Sequence, residues 1–269
     1  MKYKNSADTH THSIHSFDGN HSVKSLCESA LNKGIRYLAI TDHCEIDAEN
    51  FNFEVFCKKQ YEDTTAAKKL FKRQINVYNG IELGQAIYNK PLAEQILSRY
   101  DYDFVLGSIH NLEKMEDFYF LDYNHYDITE LLNRYFDALI ALCEWGNFDS
   151  LAHLTYPLRY ICGKYKINVD LKNFYGKIDK ILNILIDKEI SLEVNVSGLG
   201  MEIKDFLPGR EIVCRYKSLG GKYITIGSDS HYSEKIGDFI DEGLDMIKSC
   251  GFDYITIYEH RKPKLIEII

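Results

Sequence analysis

A chain of 269 residues matches a single barrel-sized α/β domain spanning residues 1–269, and its 45% hydrophobic and 27% charged content excludes disorder. The net charge of −8, with no run of lysines or arginines, excludes the phosphate-coating electrostatics of a nucleic-acid binder, so no nucleic-acid partner is expected. A small anionic substrate stays open, because bound cations can dominate a local field whatever the global charge. No apolar stretch approaches the length that spans a bilayer, and Met1-Lys2-Tyr3-Lys4-Asn5 leads into a polar motif instead of a signal-type run, so a cytoplasmic protein without a membrane partner is expected. The cysteines (Cys27, Cys44, Cys57, Cys143, Cys162, Cys214 and Cys250) are odd in number, widely spaced and never Cys-x-x-Cys. That pattern argues against both a disulfide framework and a thiolate zinc site.

Strand and helix alternate along the chain. Residues 5–9 open as a short strand; Ser22 then caps a helix through Val23-Lys24-Ser25-Leu26-Cys27-Glu28 that Gly34 closes. Tyr37 to Thr41 reads as the second strand, Ile75 to Ile81 as the third, Phe104 to Ile109 as the fourth, Leu151-Ala152 as the fifth, Ile190 to Val196 as the sixth and Tyr223 to Ile226 as the seventh. Helices are expected near 127–145, 174–188, 211–219 and 234–250. An eighth apolar run, Tyr254 to Tyr258, either pairs at a sheet edge or closes the barrel. The segment 44–74, rich in Asp, Glu and Lys, is the longest excursion between strands, and a solvated helix is expected there. The order is βαβ logic, which makes the strands parallel and puts the helices outside.

Six short histidine/carboxylate clusters sit at the downstream ends of the apolar runs: Asp8-Thr9-His10-Thr11-His12, Thr41-Asp42-His43, Gly80-Ile81-Glu82, Ser108-Ile109-His110, Ala152-His153 and Ser228-Asp229-Ser230-His231. Carboxyl ends of parallel strands converge on one pocket, so the pattern reads as a multinuclear metal centre. His10 and His12, one residue apart, share a side of an extended strand and can chelate one ion; Asp229 and His231 repeat that alternation. Glu82 at a buried strand end is costly unless paired, hydrogen-bonded or metal-bound. Asp8 is either an acceptor that fixes a ligating imidazole or a turn carboxylate. His15, His21, His125 and His260 lack the strand-end setting and are expected to be structural or exposed. Imidazole and carboxylate without thiolate suit zinc, manganese or iron, in a number of two or three ions. Adjacent divalent ions suit phosphoester hydrolysis, because they turn a bridging water into hydroxide near neutral pH and neutralise the phosphoryl oxygens. Arg159, six residues past His153, either clamps phosphate or makes a surface ion pair.

In these residues the chain resembles the polymerase and histidinol phosphatase (PHP) family of metal-dependent phosphoesterases. The match is the ordered set His10-x-His12, Asp18, His43, Glu82, His110, His153 and Asp229-x-His231, which covers essentially the whole chain. The resemblance implies a distorted (β/α)7 barrel with the metal site at the C-terminal ends of the strands. It further implies a first metal on His10, His12, Glu82 and Asp229, a second bridged by Glu82 and completed by His110 and His153, and a third on Asp18, His43 and His231, where His15 competes with Asp18. Residues 148–160, 192–199 and Glu259-His260-Arg261-Lys262-Pro263 look like the histidinol-phosphate phosphatase branch, which implies that substrate. In that reading Glu82, Asp229 and Arg159 serve catalysis, and Arg159 and Asn195 contact the substrate. Alternatives are a phosphoesterase for nucleotides or sugar phosphates and a metal-binding module without turnover. The sequence leaves oligomeric state open.

Overall fold

The computed structural model describes residues 1–48 and 52–269. Strands β1 (Ala7–Asp8), β2 (Tyr37–Ile40), β3 (His43–Glu45), β4 (Asn76–Gly84), β5 (Phe104–Ser108), β6 (Ser150–Leu151), β7 (Ser191–Asn195) and β8 (Ile224–Gly227) pair in parallel in the order β1-β2-β4-β5-β6-β7-β8. β2 and β3 are two halves of one strand, broken at Thr41 and Asp42, and both lie on β4: Tyr37 to Ile40 face Asn76 to Asn79, and His43 to Glu45 face Glu82 to Gly84. The circuit therefore counts seven strands. It closes where the chain beyond β8 meets the chain beyond β1, with Thr9 N–H donating to Ile226 O (2.9 Å), Asp229 N–H to His10 O (2.8 Å) and His12 N–H to Ser230 O (2.8 Å). Gly227 permits this approach, because a Cβ there would stand 2.3 Å from His10 Cβ.

Helices α1 (Val23–Lys33), α2 (Phe53–Leu70), α3 (Lys90–Leu97), α4 (Ile128–Trp145), α5 (Tyr175–Asp187), α6 (Ser197–Gly200), α7 (Arg210–Ser218) and α8 (Ile240–Ser249) follow the strands. α1 forms as its sequence predicts: Ser22 Oγ accepts from Ser25 N–H, and Gly34 ends the helix at φ 81°. Its Val23, Leu26, Cys27 and Ala30 are buried at helical spacing, and α5 does the same with Ile178, Ile181, Leu182 and Leu185. Each fully buried Ile or Leu of this kind contributes about 1.5–3 kcal/mol. α2 is the solvated helix expected within 44–74; residues 49–51 of that segment lie outside the described residues.

Four expectations need correcting. The helix expected at 234–250 starts only at Ile240, because Gly237 (φ 73°) turns the chain and gives its N–H to Asp8 Oδ2 (2.8 Å). The run Tyr254 to Tyr258 neither joins the barrel nor flanks its edge. As β9 (Tyr254–Glu259) it pairs antiparallel with β10 (Lys262–Glu267) in a separate hairpin. That hairpin covers the N-terminal end of the barrel, where Ile224 N–H donates to Thr256 Oγ1 (3.1 Å), Ser191 and Tyr258 share a hydroxyl bond (2.8 Å) and Arg261 reaches Asp149 (3.0 Å). The motif Glu259 to Pro263 is thus the hairpin turn at the end opposite the predicted metal ligands. Helix α3 is an addition with no counterpart in the expected elements, and Cys214 and Cys250 form one disulfide joining α7 to the end of α8, although the spacing predicted none. Among the described residues no helix is long and apolar enough to cross a membrane.

Candidate metal centre

The barrel carries nine sequence-predicted ligands to its C-terminal mouth. His10 and His12 continue β1, His43 opens β3, Glu82 lies within β4, and His110, His153 and Asp229 each stand two residues past β5, β6 and β8. His153 (φ 25°) and Asp229 (φ 55°) are held in left-handed backbone, a strain on the order of 1–3 kcal/mol each. The bond from Asp229 N–H to His10 O and that from His153 N–H to Glu193 Oε2 (2.8 Å) keep them there.

Glu82 is fully buried at the centre, and its two oxygens face different partners. Oε2 lies 3.3 Å from His10 Nε2 and 3.6 Å from His12 Nε2, while Asp229 Oδ1 stands 3.7 and 3.3 Å from the same two nitrogens. Oε1 lies 3.1 Å from His110 Nε2 and 3.0 Å from His153 Nε2, which are 3.3 Å apart. Farther out, His231 Nε2 stands 3.1 Å from Asp18 Oδ2 and 3.4 Å from His43 Nε2, with Asp18 Oδ1 3.8 Å from His43 Nε2. A tetrahedral ion with bonds of about 2.0–2.1 Å separates its ligands by about 3.4 Å, so each of these sets has the spacing such an ion needs. His10 Nε2, His12 Nε2 and Glu82 Oε2 are buried without a hydrogen-bond partner, a costly state for polar atoms that a cation relieves.

The rings are turned for ligation. His10 Nδ1–H donates to Glu193 Oε1 (2.6 Å), His231 Nδ1–H to Asp229 O (3.0 Å) and His110 Nδ1–H to Glu45 Oε1 (3.0 Å). Ser16 gives its hydroxyl proton to Asp42 (2.9 Å) and so accepts from His12 Nδ1–H (3.1 Å) and His43 N–H (3.0 Å). In His10, His12, His110 and His231 the proton therefore sits on Nδ1 and the Nε2 lone pair points inward.

Without an ion the electrostatics run the other way: burial disfavours charge on His10 and His110, yet Glu193 and Glu82 beside the first and Glu45 and Glu82 beside the second raise them well above the usual imidazole range, so charged rings stand where an ion would. Burial alone would raise the Glu82 carboxyl, but the His110, His10 and His43 rings hold it well below the usual carboxylate range. Burial likewise works against ionised Asp229, and the Arg159 guanidinium with His10 outweighs it. Glu45 is held down to about 2, since His110 and His43 overcome its burial. His12 is pushed well below the usual imidazole range by burial and by the His231 and His43 charges. Buried carboxylates kept ionised need positive charge beside them, which the imidazolium rings and Arg159 supply here and which a divalent ion would supply in place of the ring protons.

Of the two roles open to Asp8 the structure selects the turn carboxylate, and sequence reasoning overlooked Glu193. Asp8 accepts from Ser228 N–H (2.8 Å), Ser228 Oγ–H (2.6 Å) and Gly237 N–H, so it braces the loop after β8 and touches no imidazole. The carboxylate that fixes a ligating ring is Glu193, on β7. Asp18, not His15, joins the outer set, because His15 Nε2 turns away to Asp63 Oδ2 (2.8 Å). His21, His125 and His260 lie outside the cluster, beside Ser233 N–H, Asp122 and Asp101 respectively. Arg159 is no surface ion pair: it is buried, its Nη2 bonds Asp229 Oδ2 and Ser197 Oγ (3.0 Å), and its guanidinium lies 5.0 Å from the Tyr156 ring. Asn195 is fully buried beneath it. Its amide nitrogen donates to Glu193 Oε2 (3.3 Å) and Asp229 Oδ2 (3.2 Å), so it braces the ligand frame instead of lining the cavity.

Above the cluster opens a cavity of about 630 Å³, lined by Asp18, His43, His110, His153, Asp229 and His231 on its floor and by Arg159, Asp117, Tyr156, Tyr160, Phe17 and Phe120 on its walls. Asp117 was overlooked in the sequence; its carboxylate accepts from Tyr156 Oη–H (3.0 Å) and Tyr119 N–H (2.7 Å).

A model of the PHP domain matches residues 8–197. A probable histidinol-phosphatase of Thermotoga maritima is 31% identical over 93% of this chain and 94% of its own. One of Clostridium acetobutylicum is 29% identical over 96% and 98%. The crystal structure of histidinol phosphate phosphatase from Lactococcus lactis subsp. lactis, complexed with zinc, L-histidinol and phosphate, shares the fold at a TM-score of 0.85, covering 97% of this chain and 99% of that one at 23% identity. With more than half of its residues matched by the family model, this chain belongs to the PHP domain family.

Proposed function

We propose that the chain, as one catalytic domain over residues 1–269, is a metal-dependent phosphomonoesterase that hydrolyses L-histidinol phosphate to L-histidinol and inorganic phosphate, a step of histidine biosynthesis. The observation that carries this reading is the placement of buried Glu82, whose Oε1 faces His110 and His153 and whose Oε2 faces His10, His12 and His43, directly beneath an arginine-walled cavity. Relatives of nearly the same length that bear the name histidinol-phosphatase support the substrate.

His10, His12, Glu82 and Asp229 would hold one ion, Glu82, His110 and His153 a second, and Asp18, His43 and His231 a third, with zinc, manganese or iron all compatible with these donors. Such ions supply Lewis acidity and a bound water that is acidic enough to ionise near neutral pH. The chain's own groups do the rest. Arg159, fixed by Asp229 and Ser197, presents a cation to the phosphoryl oxygens, where negative charge grows in the transition state. Asp117 offers a carboxylate to the ammonium of the leaving alcohol, and Tyr156, Tyr160, Phe17 and Phe120 offer flat faces to its imidazole. Burial of the cluster keeps bulk water from competing for these charges.

The test is kcat/KM for L-histidinol phosphate against a panel of nucleoside and sugar phosphates, using protein reconstituted with Zn²⁺ or Mn²⁺. Histidinol phosphate is expected to lead the panel. A nucleotide or sugar phosphate that outperforms it would reassign the substrate, and no turnover on any phosphomonoester, an aryl phosphate included, would overturn the enzymatic reading.

A further inference from the structure

We propose that Lys235 is a substrate-binding residue, a second cation that meets the phosphoryl oxygens from the β8 side of the cavity, and that Lys33 is a positioning residue that keeps Lys235 free to do so. The proposal deepens the phosphomonoesterase reading above and rests on it. Of the described residues that line the cavity, Arg159 and Lys235 are the two that bring a lysine or arginine charge. They arrive from different elements. Arg159 follows β6 and stands with Tyr156 and Tyr160, whereas Lys235 ends a 3-10 turn, Ser233–Lys235, four residues beyond His231 of the third ligand set.

The two cations differ in what already neutralises them. Arg159 is buried and its Nη2 bonds Asp229 Oδ2 and Ser197 Oγ, so its charge is committed to the ligand frame before substrate arrives. A phosphate monoester brings roughly two negative charges at neutral pH to a chain whose own net charge is −8. Lys235 is tied only loosely. Its ammonium lies 3.6 Å from Asp238 Oδ2, beyond hydrogen-bond reach, and the side chain is 65% exposed, so the pair is weak.

The looseness comes from Lys33. Asp238 faces two ammonium groups, and Lys33 Nζ holds it, donating to Asp238 Oδ1 (2.8 Å) and to Glu234 O (2.6 Å). Lys33 is the less exposed of the two lysines, at 32%, and it ends α1, whose Ser29 hydroxyl also donates to Ser233 O. Helix α1 therefore fixes both the carboxylate and the backbone of the turn. Lys235 swings on its four-carbon stem without a hydrogen bond of its ammonium to break. Without Lys33, Asp238 would be left to Lys235 alone and would draw that ammonium away from the substrate.

The experiment pairs steady-state kinetics on L-histidinol phosphate with calorimetry of inorganic phosphate binding, both on Zn²⁺- or Mn²⁺-loaded protein whose ion content is checked by elemental analysis. Lys235→Ala is expected to raise KM and the phosphate Kd by roughly 10-fold, the scale of one charge-assisted hydrogen bond, with kcat lowered less and ion content unchanged. Lys235→Arg should keep most of the affinity, and high salt should narrow the gap between wild type and Lys235→Ala. Lys33→Ala should weaken phosphate binding by a smaller factor. Adding Asp238→Asn should restore it, because the competing carboxylate is gone, and Lys33→Ala should add little once Lys235 is alanine. A role of Lys33 in merely anchoring the turn predicts neither result. Wild-type phosphate affinity in Lys235→Ala, or loaded wild type that binds no phosphate, would overturn the contact. A Lys33→Ala defect that Asp238→Asn does not relieve, or that persists in full beside Lys235→Ala, would overturn the role of Lys33. Loaded wild type that binds phosphate through Lys235 yet turns over no phosphomonoester would overturn the enzymatic reading while leaving the contact standing.

Discussion

Removing the Arg159 guanidinium tests substrate handling and the ligand frame at once. From sequence alone this arginine is a phosphate clamp, and its loss should lower kcat/KM by roughly 10²- to 10³-fold, or about 2.7–4 kcal/mol, the scale of deleting one preorganised donor to developing negative charge. The structure adds a second consequence. Arg159 is buried and bonds Asp229, a predicted metal ligand, so Arg159→Ala leaves a buried carboxylate without its partner. Breaking one side of such a pair costs on the order of 3–5 kcal/mol when nothing else compensates. A divalent ion at Asp229 compensates, and metal-free protein does not have it. Arg159→Ala is thus expected to melt far below wild type when stripped of metal, and close to wild type when loaded, with the same ion stoichiometry but the reduced kcat/KM. Arg159→Lys should restore most of the metal-free stability and only part of the activity, since a point charge neutralises Asp229 but cannot reproduce the planar fork. Steady-state kinetics on L-histidinol phosphate and paired melts with and without chelator make the measurement. Unaltered kcat/KM in the loaded alanine variant would place the phosphate contact elsewhere, and equal destabilisation of loaded and metal-free forms would refute the charge-compensation argument.

Glu82→Gln keeps the size of the central side chain and removes its charge; it should loosen the first and second sets together and lower kcat by orders of magnitude, whereas near-normal kcat would contradict the bridging role. The double variant His10→Ala/His12→Ala should lose at least one bound ion by elemental analysis, and an unchanged count would mean the first set holds none. Gly227→Ala places a methyl group against His10 Cβ and 2.8 Å from Glu193 Oε1, so it should weaken the first ion without touching any ligand, as read by titrating the loaded protein with chelator. At the other end of the barrel, burial lifts the Asp149 carboxyl to about 6 against the pull of Arg261. The folded chain then holds this proton more tightly than the unfolded one, so the stability contributed by Asp149 is greatest below about pH 4 and falls as pH rises through 6. Urea melts of wild type and Asp149→Asn should show wild type losing up to about 3 kcal/mol relative to the variant across that window, while a pH-independent difference would sink the idea.

The candidate ligands other than Asp18 were legible because the barrel puts them at one kind of place, at or just past the end of a short apolar run, and because His10-x-His12 and Asp229-x-His231 show the two-residue alternation of a strand. The same alternation was present, unread, in His43-x-Glu45 and Glu193-x-Asn195. What spacing could not reveal was pairing between distant segments. The local carboxylate Asp8 could be read either as the partner of an imidazole or as a turn group; the partner of His10 arrives from a strand 183 residues away, and Asp8 is taken up by the loop after β8. Arg159 posed the same difficulty: its cationic charge was visible, but the carboxylate it meets lies 70 residues on. Strand assignment failed where the partner strand carried no apolar signal. Lys262 to Glu267 is largely exposed and polar, so nothing local announces β10, and without β10 the run Tyr254 to Tyr258 could only be referred to the barrel.

These misses share a physical cause, and it bears on how the centre is built. The atoms that bind an ion are set by strand geometry, which a short motif encodes; the atoms that aim them are set by barrel closure, which no short motif encodes. Glu193 reaches His10 only because β7 adjoins β8 and the chain past β8 adjoins that past β1, and Gly227 must yield a side chain for those rings and carboxylates to meet. The ligand set is therefore sensitive to any shift of β8 against β1. Substitutions along that seam should disturb metal retention before they disturb the fold, since the helices that bury the core pack on the outside of the barrel and not across its mouth.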